Sequence, residues 1–434
     1  MNNKVVLFFP KLEKDKDYNW PPIPLLALAA VLKANNFDCV IVDERIEKDV
    51  ENTLQNELEN ALCLGITAFT GYSLKGSLKA AEICRKLYPN LPIFFGGPHA
   101  TALPEQSRKS KLIDEVIVGY GEYELLEKVQ KIAKGEDFPA PIDKSDLYRK
   151  LTAPNMPIIP YDIIDMNRYI NPRTRAVIYI TSYGCPGKCS FCSTSTLRKW
   201  TPFSLIKVKK DLDNLFKIHS FKHIVFYDAT FFADIRRAME IAEYIQKYDV
   251  DWSVDARSYE AAKLDKSEIR LLEEKRLKYI TIGLETGSPY VVDIMKKGKG
   301  HIERMYKIID NFKDSSINIT SGIIFGVPGE TIDDLKKTLN VIKELCSIKK
   351  NFKVSTTFFR PLPGTLLYHT LEEDYNYSFP KTLEEWAKHG EKSHYQYNEF
   401  MDIPWFNKDM EKEYRKIYTE FWQENANLLE ERGL

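Results

Sequence analysis

The sequence predicts an α/β protein of two domains in series: a doubly wound, Rossmann-like parallel sheet, then a partial (β/α)6 barrel, with a helical extension after it. Three observations carry this. Short apolar runs alternate with helical patterns over residues 1–135, the alternation recurs six times over 176–375, and a proline-dense stretch over 136–175 separates the two. Each parallel pairing needs a long crossover, so strand and helix in strict alternation imply parallel sheets. At 434 residues the chain also exceeds what one core organises.

In the first domain the strand-like runs are KVVLFFP (4–10), CVIVD (39–43), ALCLGITAFT (61–70), LPIFFGG (91–97) and EVIVGYGE (115–122). Between them, 24–35 and 75–88 place apolar residues three and four apart, among them Leu25, Leu28, Ala29 and Leu32. A doubly wound sheet binds its ligand at the carboxyl ends of the strands. Gly96, Gly97, Gly119 and Gly121 fall there, where glycine lets backbone approach a bulky ligand, although turns after strands are glycine-rich in any case. His99, in the turn GGPHAT, reads as a hydrogen-bonding loop residue in preference to a metal ligand.

The linker carries Pro139, Pro141, Pro154, Pro157 and Pro160, a density that forbids regular structure. Tyr161, Ile163, Ile164 and Met166 then suggest that its second half packs against a domain. The barrel strands are expected at 176–183, 222–228, 250–256, 279–285, 317–325 and 352–360. In the gaps, 234–247 sets Ile235, Ala238, Ala242 and Ile245 on one face, and Thr331 with Asp334 makes a capping box before Leu335, Leu339 and Ile342. Residues 376–434 read as an amphipathic extension, with Met410, Tyr414, Ile417, Phe421 and Leu428 at helical spacing; it either covers the open side of the barrel or simply packs.

Just past the first barrel strand stands GCPGKCSFCS, residues 184–193, with Cys185, Cys189 and Cys192 at C-x3-C-x2-C spacing. Three soft thiolates on one loop bind a metal or a cluster. A structural zinc site wants a fourth ligand at short spacing, and none follows. Three thiolates suit a four-iron cluster that leaves one iron open. Active groups of a β/α barrel gather at the carboxyl ends of its strands, and Asp228 in YDATFF, Arg257 in VDARSY and Glu285 in IGLETGS lie at three successive ends. Any one of them could be only a salt bridge or a helix cap.

The cysteine spacing, with Phe191 before the last thiol, resembles the signature of radical S-adenosylmethionine (radical SAM) enzymes. PPIPLLALAAVLK, GGPHAT and VGYGE resemble the N-terminal cobalamin-binding domain of one branch of that superfamily, and GVPGET (326–331) and RPLPGT (360–365) resemble later phrases of it. The resemblance implies a [4Fe-4S] cluster on Cys185, Cys189 and Cys192, with S-adenosylmethionine on the open iron cleaved to a 5′-deoxyadenosyl radical. Phe191, Asp228, Arg257, Glu285 and Ser321 are implied to border S-adenosylmethionine; a charged fork suits its carboxylate. Thr70, Gly96, Gly97, Pro98, His99, Gly119, Gly121 and Glu122 are implied to border a corrin held over the barrel mouth. The glycine-glycine-glutamate stretch of many superfamily members is missing after strand two, where YDATFF stands, so the amino-group contact is not assigned. Residues 10–22 contain no His, so the D-x-H-x-x-G ligand to cobalt is missing as well.

Within the family it resembles, that absence would imply methyl transfer in preference to stable adenosyl binding. The leading expectation is a radical C-methyltransferase in which one S-adenosylmethionine methylates cob(I)alamin, a second supplies the radical, and the substrate radical takes methyl from methylcobalamin. A cyclase or rearrangement enzyme is the alternative, and a cobalamin or cluster sensor without turnover is the alternative of another class. Methylthiotransferases, which place a second cluster on three N-terminal cysteines, fit less well: Cys39 and Cys63 sit in strand runs and Cys84 in a helix. These three, with Cys346, read as buried structural thiols and not as a disulfide framework.

The balance of 62 basic and 62 acidic residues gives no electrostatic footprint for nucleic acid. No apolar run is long enough to cross a bilayer, and MNNKVVLFFP does not read as a signal peptide, so a cytoplasmic protein is expected. A small-molecule, lipid or peptide substrate and an electron donor such as flavodoxin or ferredoxin are the expected partners.

Overall fold

The computed structural model of the chain describes residues 3–12, 20–137, 144–196, 199–392 and 405–429. Most of residues 10–22, part of the proline stretch and part of the C-terminal extension therefore lie outside the described residues. The chain divides into two compact units, neither continuous in sequence. The first comprises Met1–Arg173, Thr201–Ser220 and Phe379–Tyr395; the second comprises Thr174–Trp200, Phe221–Ser378 and Gln396–Leu434.

The first unit holds a five-stranded parallel sheet of β1 (Lys4–Phe9), β2 (Asp38–Asp43), β3 (Ala61–Thr67), β4 (Ile93–Gly96) and β5 (Glu115–Val116), in the order β2-β1-β3-β4-β5. The crossovers carry α1 (Ile23–Lys33), α2 (Val50–Leu58), α3 (Ser73–Leu87), the short α4 (Pro98–Ala102) and α5 (Pro104–Arg108), and α6 (Glu122–Ala133). β1 is covered on both faces, with Val5, Val6, Leu7 and Phe8 fully buried, as a central parallel strand must be. The strand order reverses between β1 and β3, the crevice where such sheets bind ligands. The run at 115–122 forms only two residues of strand. The chain then turns away at Gly119, whose N–H donates to Thr101 Oγ1 at 2.9 Å.

After α7 (Lys144–Leu151) the second half of the linker packs on this unit. Met156, Ile159, Tyr161, Met166 and Tyr169 are buried, and the Tyr169 hydroxyl donates to Asp43 at 3.0 Å.

The second unit begins with β6 (Ala176–Tyr179) and the two-residue β7 (Ser182–Tyr183). β8 (Thr201–Pro202) and α8 (Leu205–Ile218) fall within the span expected for the barrel, yet Thr201–Ser220 groups with the first unit. The tie is chemical. Lys207 on α8, buried, donates to the Pro157 carbonyl at 2.6 Å and to Asp211 at 2.8 Å, and Asp211 accepts the Ile159 N–H at 2.9 Å.

The barrel strands follow as β9 (His223–Phe226), β10 (Asp251–Ala256), β11 (Leu277–Ile282), β12 (Asn318–Phe325) and β13 (Phe352–Phe358). With β6 they form one six-stranded parallel sheet in simple chain order, the partial barrel that the sequence predicts. Its helices are α9 (Ile235–Tyr244), α10 (Ser258–Ala261), α11 (Lys266–Glu274), α12 (Pro289–Ile294), α13 (His301–Phe312), α14 (Ile332–Ile348) and α15 (Leu366–Asp374). The capping box of α14 forms as expected, Thr331 accepting from the Asp334 N–H and Asp334 from the Thr331 N–H. β12 alternates half-buried and buried along its whole length, so its two faces are distinct.

The C-terminal extension divides. α16 (Leu383–Lys392) groups with the first unit, and α17 (Lys408–Glu424) packs on the barrel. Tyr418 of α17 lies 5.2 Å from the Phe325 ring and 5.3 Å from that of Phe358, while Leu429 forms a bridge with Val354 on the edge strand β13. Capping an edge in this way removes a row of unpaired backbone groups. No helix among the described residues is long and apolar enough to cross a membrane.

Candidate functional site

The cysteine loop leaves β6 and is pinned at several points. The Ser190 N–H donates to the Met295 carbonyl at 3.0 Å, the Ser190 hydroxyl to the Ile294 carbonyl at 2.7 Å, and Ser190 O accepts the Leu367 N–H at 2.9 Å. All three thiols are half-buried. Burial pushes the Cys185 thiol up, while the Gly187 N–H, 3.3 Å from its sulfur, and the Arg257 charge pull it back. Cys189 is likewise raised by burial and pulled back first by Lys297. Two cations thus face a loop whose working form is anionic. Cys192 lies within electrostatic reach of both other thiols.

Arg257 follows β10 and lies against the loop. A Cβ built on Gly187 would meet its Nε at 3.2 Å, so the glycine makes room for the guanidinium. Its Nη1 donates to Glu260 Oε1 at 2.9 Å. Glu285 takes φ +65, a conformation that costs a non-glycine residue about 1–3 kcal/mol and marks functional turns. A Cβ on Gly283 would stand 2.0 Å from Glu285 Oε1, so a side chain there would displace the carboxylate from this position. Lys297 donates to the same oxygen at 3.2 Å.

Two residues expected to border the ligand are buried and hydrogen-bonded within the protein. Asp228 is 1% exposed, and its carboxylate accepts from the Thr181 N–H at 3.0 Å, the Thr181 hydroxyl at 2.9 Å and the Ser182 hydroxyl. Arg237 donates to the Thr181 hydroxyl and carbonyl, each at 2.9 Å. Asp228 therefore fixes the start of the cysteine loop. Burial pushes its carboxyl up, against the hydrogen bonds from Ser182 and Thr181. Ser321 is fully buried and donates to the Ile282 carbonyl at 2.5 Å; period two along β12 puts Gly322 on the opposite face, beside Glu285. Phe191 stays half-buried on the loop.

Sequence reasoning missed Lys297, Arg237, Glu260 and His301. Lys297 stands in KKGKG, which reads as a solvated charge run, and Arg237 beside Arg236 on an amphipathic helix. His301 is buried, with Nδ1 2.9 Å from the Ser258 hydroxyl and Nε2 donating to the Leu284 carbonyl at 2.7 Å, so it ties together the ends of β10 and β11. A carbonyl only accepts, which assigns the proton to Nε2.

In the first unit the predicted residues gather at the ends of β3 and β4. His99 is 0% exposed, with Nδ1 3.0 Å from Thr70 Oγ1. Burial lowers its pKa to about 4, so the ring is neutral. Gly97 takes φ +90, and a Cβ there would stand 2.6 Å from Thr67 Oγ1 and 2.9 Å from the Ala68 nitrogen; both sterics and conformation demand glycine. Pro98 opens α4 and is exposed, while Gly121 and the buried Glu122 begin α6 at the next strand end. Cys63 and Cys84 are buried as expected, whereas Cys39 and Cys346 are half-buried; burial raises Cys39 to about 12 and Cys84 and Cys346 to about 11, and lifts Cys63 further, which disfavours the reactive thiolate.

Comparison with known proteins adds the deciding observation. Residues 179–342 match the Radical SAM superfamily, and residues 16–128 match the B12 binding domain. The chain belongs to the B12-binding branch of the radical SAM superfamily. It is 26% identical over 366 residues to the uncharacterized methyltransferase PH0819 of Pyrococcus horikoshii, covering 80% of this chain and 78% of that one. It is 24% identical over 382 residues to the anaerobic magnesium-protoporphyrin IX monomethyl ester cyclase of Rubrivivax gelatinosus, covering 81% of this chain and 66% of that protein. The structure of the radical SAM methyltransferase TsrM from Kitasatospora setae, with cobalamin and a [4Fe-4S] cluster bound, shares the fold at a TM-score of 0.70 and 16% identity, covering 86% of this chain and 78% of that one.

The cofactors of this radical SAM enzyme are accordingly a [4Fe-4S] cluster, S-adenosylmethionine and cobalamin. The residues fit them. Among the described residues no trio of His, Cys, Asp and Glu is placed to hold a single metal ion. A cluster instead spreads its thiolates over separate irons. Among the described residues Glu260 Oε2, buried beside Arg257, has no hydrogen-bond partner, and neither has His99 Nε2 at the end of the first sheet. Both atoms are available to a bound group or a water.

Proposed function

We propose that the chain is a radical C-methyltransferase, with corrin binding in residues 1–135, a linker over 136–175, radical chemistry in residues 176–375 and an extension from 376. The carrying observation is the pairing of the three-cysteine loop with a B12 domain in which residues 10–22, after the first strand, contain no His; the family resemblance makes that absence one that would favour methyl transfer. The methyltransferase named among its relatives supports the same reading.

When bound, the cluster supplies the electron that cleaves S-adenosylmethionine, and cobalamin supplies methyl-carrying cobalt. The protein's own residues hold and orient. Arg257, laid against Gly187 by Glu260, grips the S-adenosylmethionine carboxylate through a charged fork. Glu285, held beside Gly322 and paired with Lys297, accepts a ribose hydroxyl or the amino group. Lys297 and Arg257 together offset the anionic charge of the loop, and Asp228, Arg237 and Thr181 hold its base rigid. A low-potential carrier such as flavodoxin or ferredoxin supplies the electron, and the substrate is a small molecule, a lipid or a peptide.

A cyclase is the second reading, favoured by the resemblance to the protoporphyrin ester cyclase. One experiment separates the two. Turnover with methyl-labelled S-adenosylmethionine, under reducing anaerobic conditions, yields S-adenosylhomocysteine and 5′-deoxyadenosine together with labelled product if the enzyme is a methyltransferase. Formation of 5′-deoxyadenosine with no S-adenosylhomocysteine would favour the cyclase.

A further inference from the structure

α16 lies some 250 residues beyond the B12-binding span, yet groups with the first unit. Its approach is close. A Cβ on Gly390 would fall 2.2 Å from the Gly71 carbonyl carbon, so the helix rests directly on the backbone that follows β3. Gln106 reinforces the seat by donating to the Pro380 carbonyl at 3.1 Å. From this helix Trp386, 1% exposed, stacks on Phe379 at 6.2 Å and meets His99 edge-on at 5.7 Å.

Two polar atoms at this contact are unmatched among the described residues: Trp386 Nε1 and His99 Nε2, both buried. A buried polar atom is destabilising if nothing completes it. The two rings come from elements nearly 290 residues apart, and they converge where a doubly wound sheet binds its ligand.

Resting on the assignment of cobalamin to this unit, we propose that α16 is a strap completing the corrin site, and that Trp386 and His99 together bind one carboxamide of the corrin periphery. The chemistry matches. An indole N–H only donates, so it requires an acceptor; imidazole Nε2 donates or accepts, according to which nitrogen faces Thr70. A primary carboxamide offers a carbonyl to the first and, with its C=O or N–H, satisfies either tautomer of the second. A carboxylate cannot donate, and an apolar group leaves both atoms bare. Entry of so large a ligand requires α16 to lift and reseat, which makes residues 379–392 a strap and not a fixed wall.

The test is equilibrium binding of hydroxocobalamin to the full-length protein, followed by absorbance. Trp386→Phe keeps an aromatic side chain and removes the N–H together with the pyrrole half of the indole; it is expected to weaken binding at least roughly three- to tenfold, the worth of one neutral hydrogen bond. In parallel, the wild-type protein is titrated with cobalamin monocarboxylic acids, in which one peripheral amide is replaced by a carboxylate. One isomer should differ from the parent severalfold in affinity, weaker if His99 Nε2 accepts and tighter if it donates, and Trp386→Phe should change that ratio. Equal affinity of the variant and the parent protein, or equal binding of every monocarboxylate, overturns the proposal and leaves a buried water as the missing partner. If Trp386→Phe fails to fold, the wild-type discrimination alone decides. No hydroxocobalamin binding by the wild-type protein would overturn the cofactor assignment itself, a failure distinct from the other two.

Discussion

The cysteine loop of the second unit and the His99 end of the first are built in opposite ways. The loop is local: ten consecutive residues carry its ligands, and its base is hydrogen-bonded from Arg237 through Thr181 to Asp228 and through both nitrogens of His301. The His99 end is assembled from distant segments, and two of its buried polar atoms have no partner among the described residues. A base held by short-range hydrogen bonds suits a cluster that must keep its geometry through electron transfer, whereas a site assembled from distant segments suits a large cofactor that has to enter.

The largest expected effect is on the loop itself. Cys189→Ala should leave the protein folded, without a full complement of iron, and should reduce 5′-deoxyadenosine formation to background. Next comes the network beneath it. Asp228→Ala strands the Thr181 and Ser182 donors and the Arg237 charge, and should cost about 3 kcal/mol in urea unfolding, with weaker retention of the cluster. An unchanged unfolding midpoint would show that the loop does not depend on this network.

Gly97→Ala asks the same question of the first unit. The contact of its Cβ with Thr67 and Ala68, added to the φ of +90, should destabilise by about 2–3 kcal/mol and abolish corrin binding, while the iron content of the loop stays intact. Loss of both cofactors together would erase the contrast between the sites.

A smaller effect is expected at Arg257. Replacement by Lys removes the fork and should weaken S-adenosylmethionine binding about tenfold, as measured by the spectral change of the cluster on titration.

A last effect is read as a dependence on pH and concerns Glu330, which joins the GVPGET turn to α17 by accepting from the Gly326 N–H at 2.5 Å and the Tyr414 hydroxyl at 3.0 Å. Burial raises its carboxyl to about 8, against the hydrogen bonds from Tyr414 and Gly326. The folded protein thus keeps a proton that the unfolded chain has lost. The stability this contributes is full below about pH 4.5 and disappears as pH rises through 8, by about 1.4 kcal/mol per pH unit. Glu330→Gln should flatten that slope, read from unfolding curves between pH 5 and 8.

Much of this fold was legible in the sequence, because apolar periodicity reports burial directly: all eleven strands of the two main sheets fall within or beside the predicted runs. The cluster loop was legible for a related reason, since its ligands are chain neighbours. What periodicity cannot report is where a charged or aromatic residue ends up when its partner is remote. Asp228 looked like a ligand contact because it ends a strand, and only the fold reveals Thr181 and Ser182 beneath it. Trp386 looked like one more aromatic on an amphipathic helix, and nothing in its neighbourhood names His99. Thr201–Ser220 likewise follows barrel-like periodicity, and a buried Lys207–Asp211 pair with the linker sends it to the other unit.

The account as a whole rests on the three cysteines acting as a radical-generating centre. The direct test is anaerobic reconstitution of the protein with iron and sulfide, reduction with dithionite, and quantification of 5′-deoxyadenosine released from S-adenosylmethionine. The wild-type protein is predicted to carry four irons and to release 5′-deoxyadenosine, and Cys189→Ala is predicted to release none. Full iron loading with no 5′-deoxyadenosine from the wild-type protein would contradict the account.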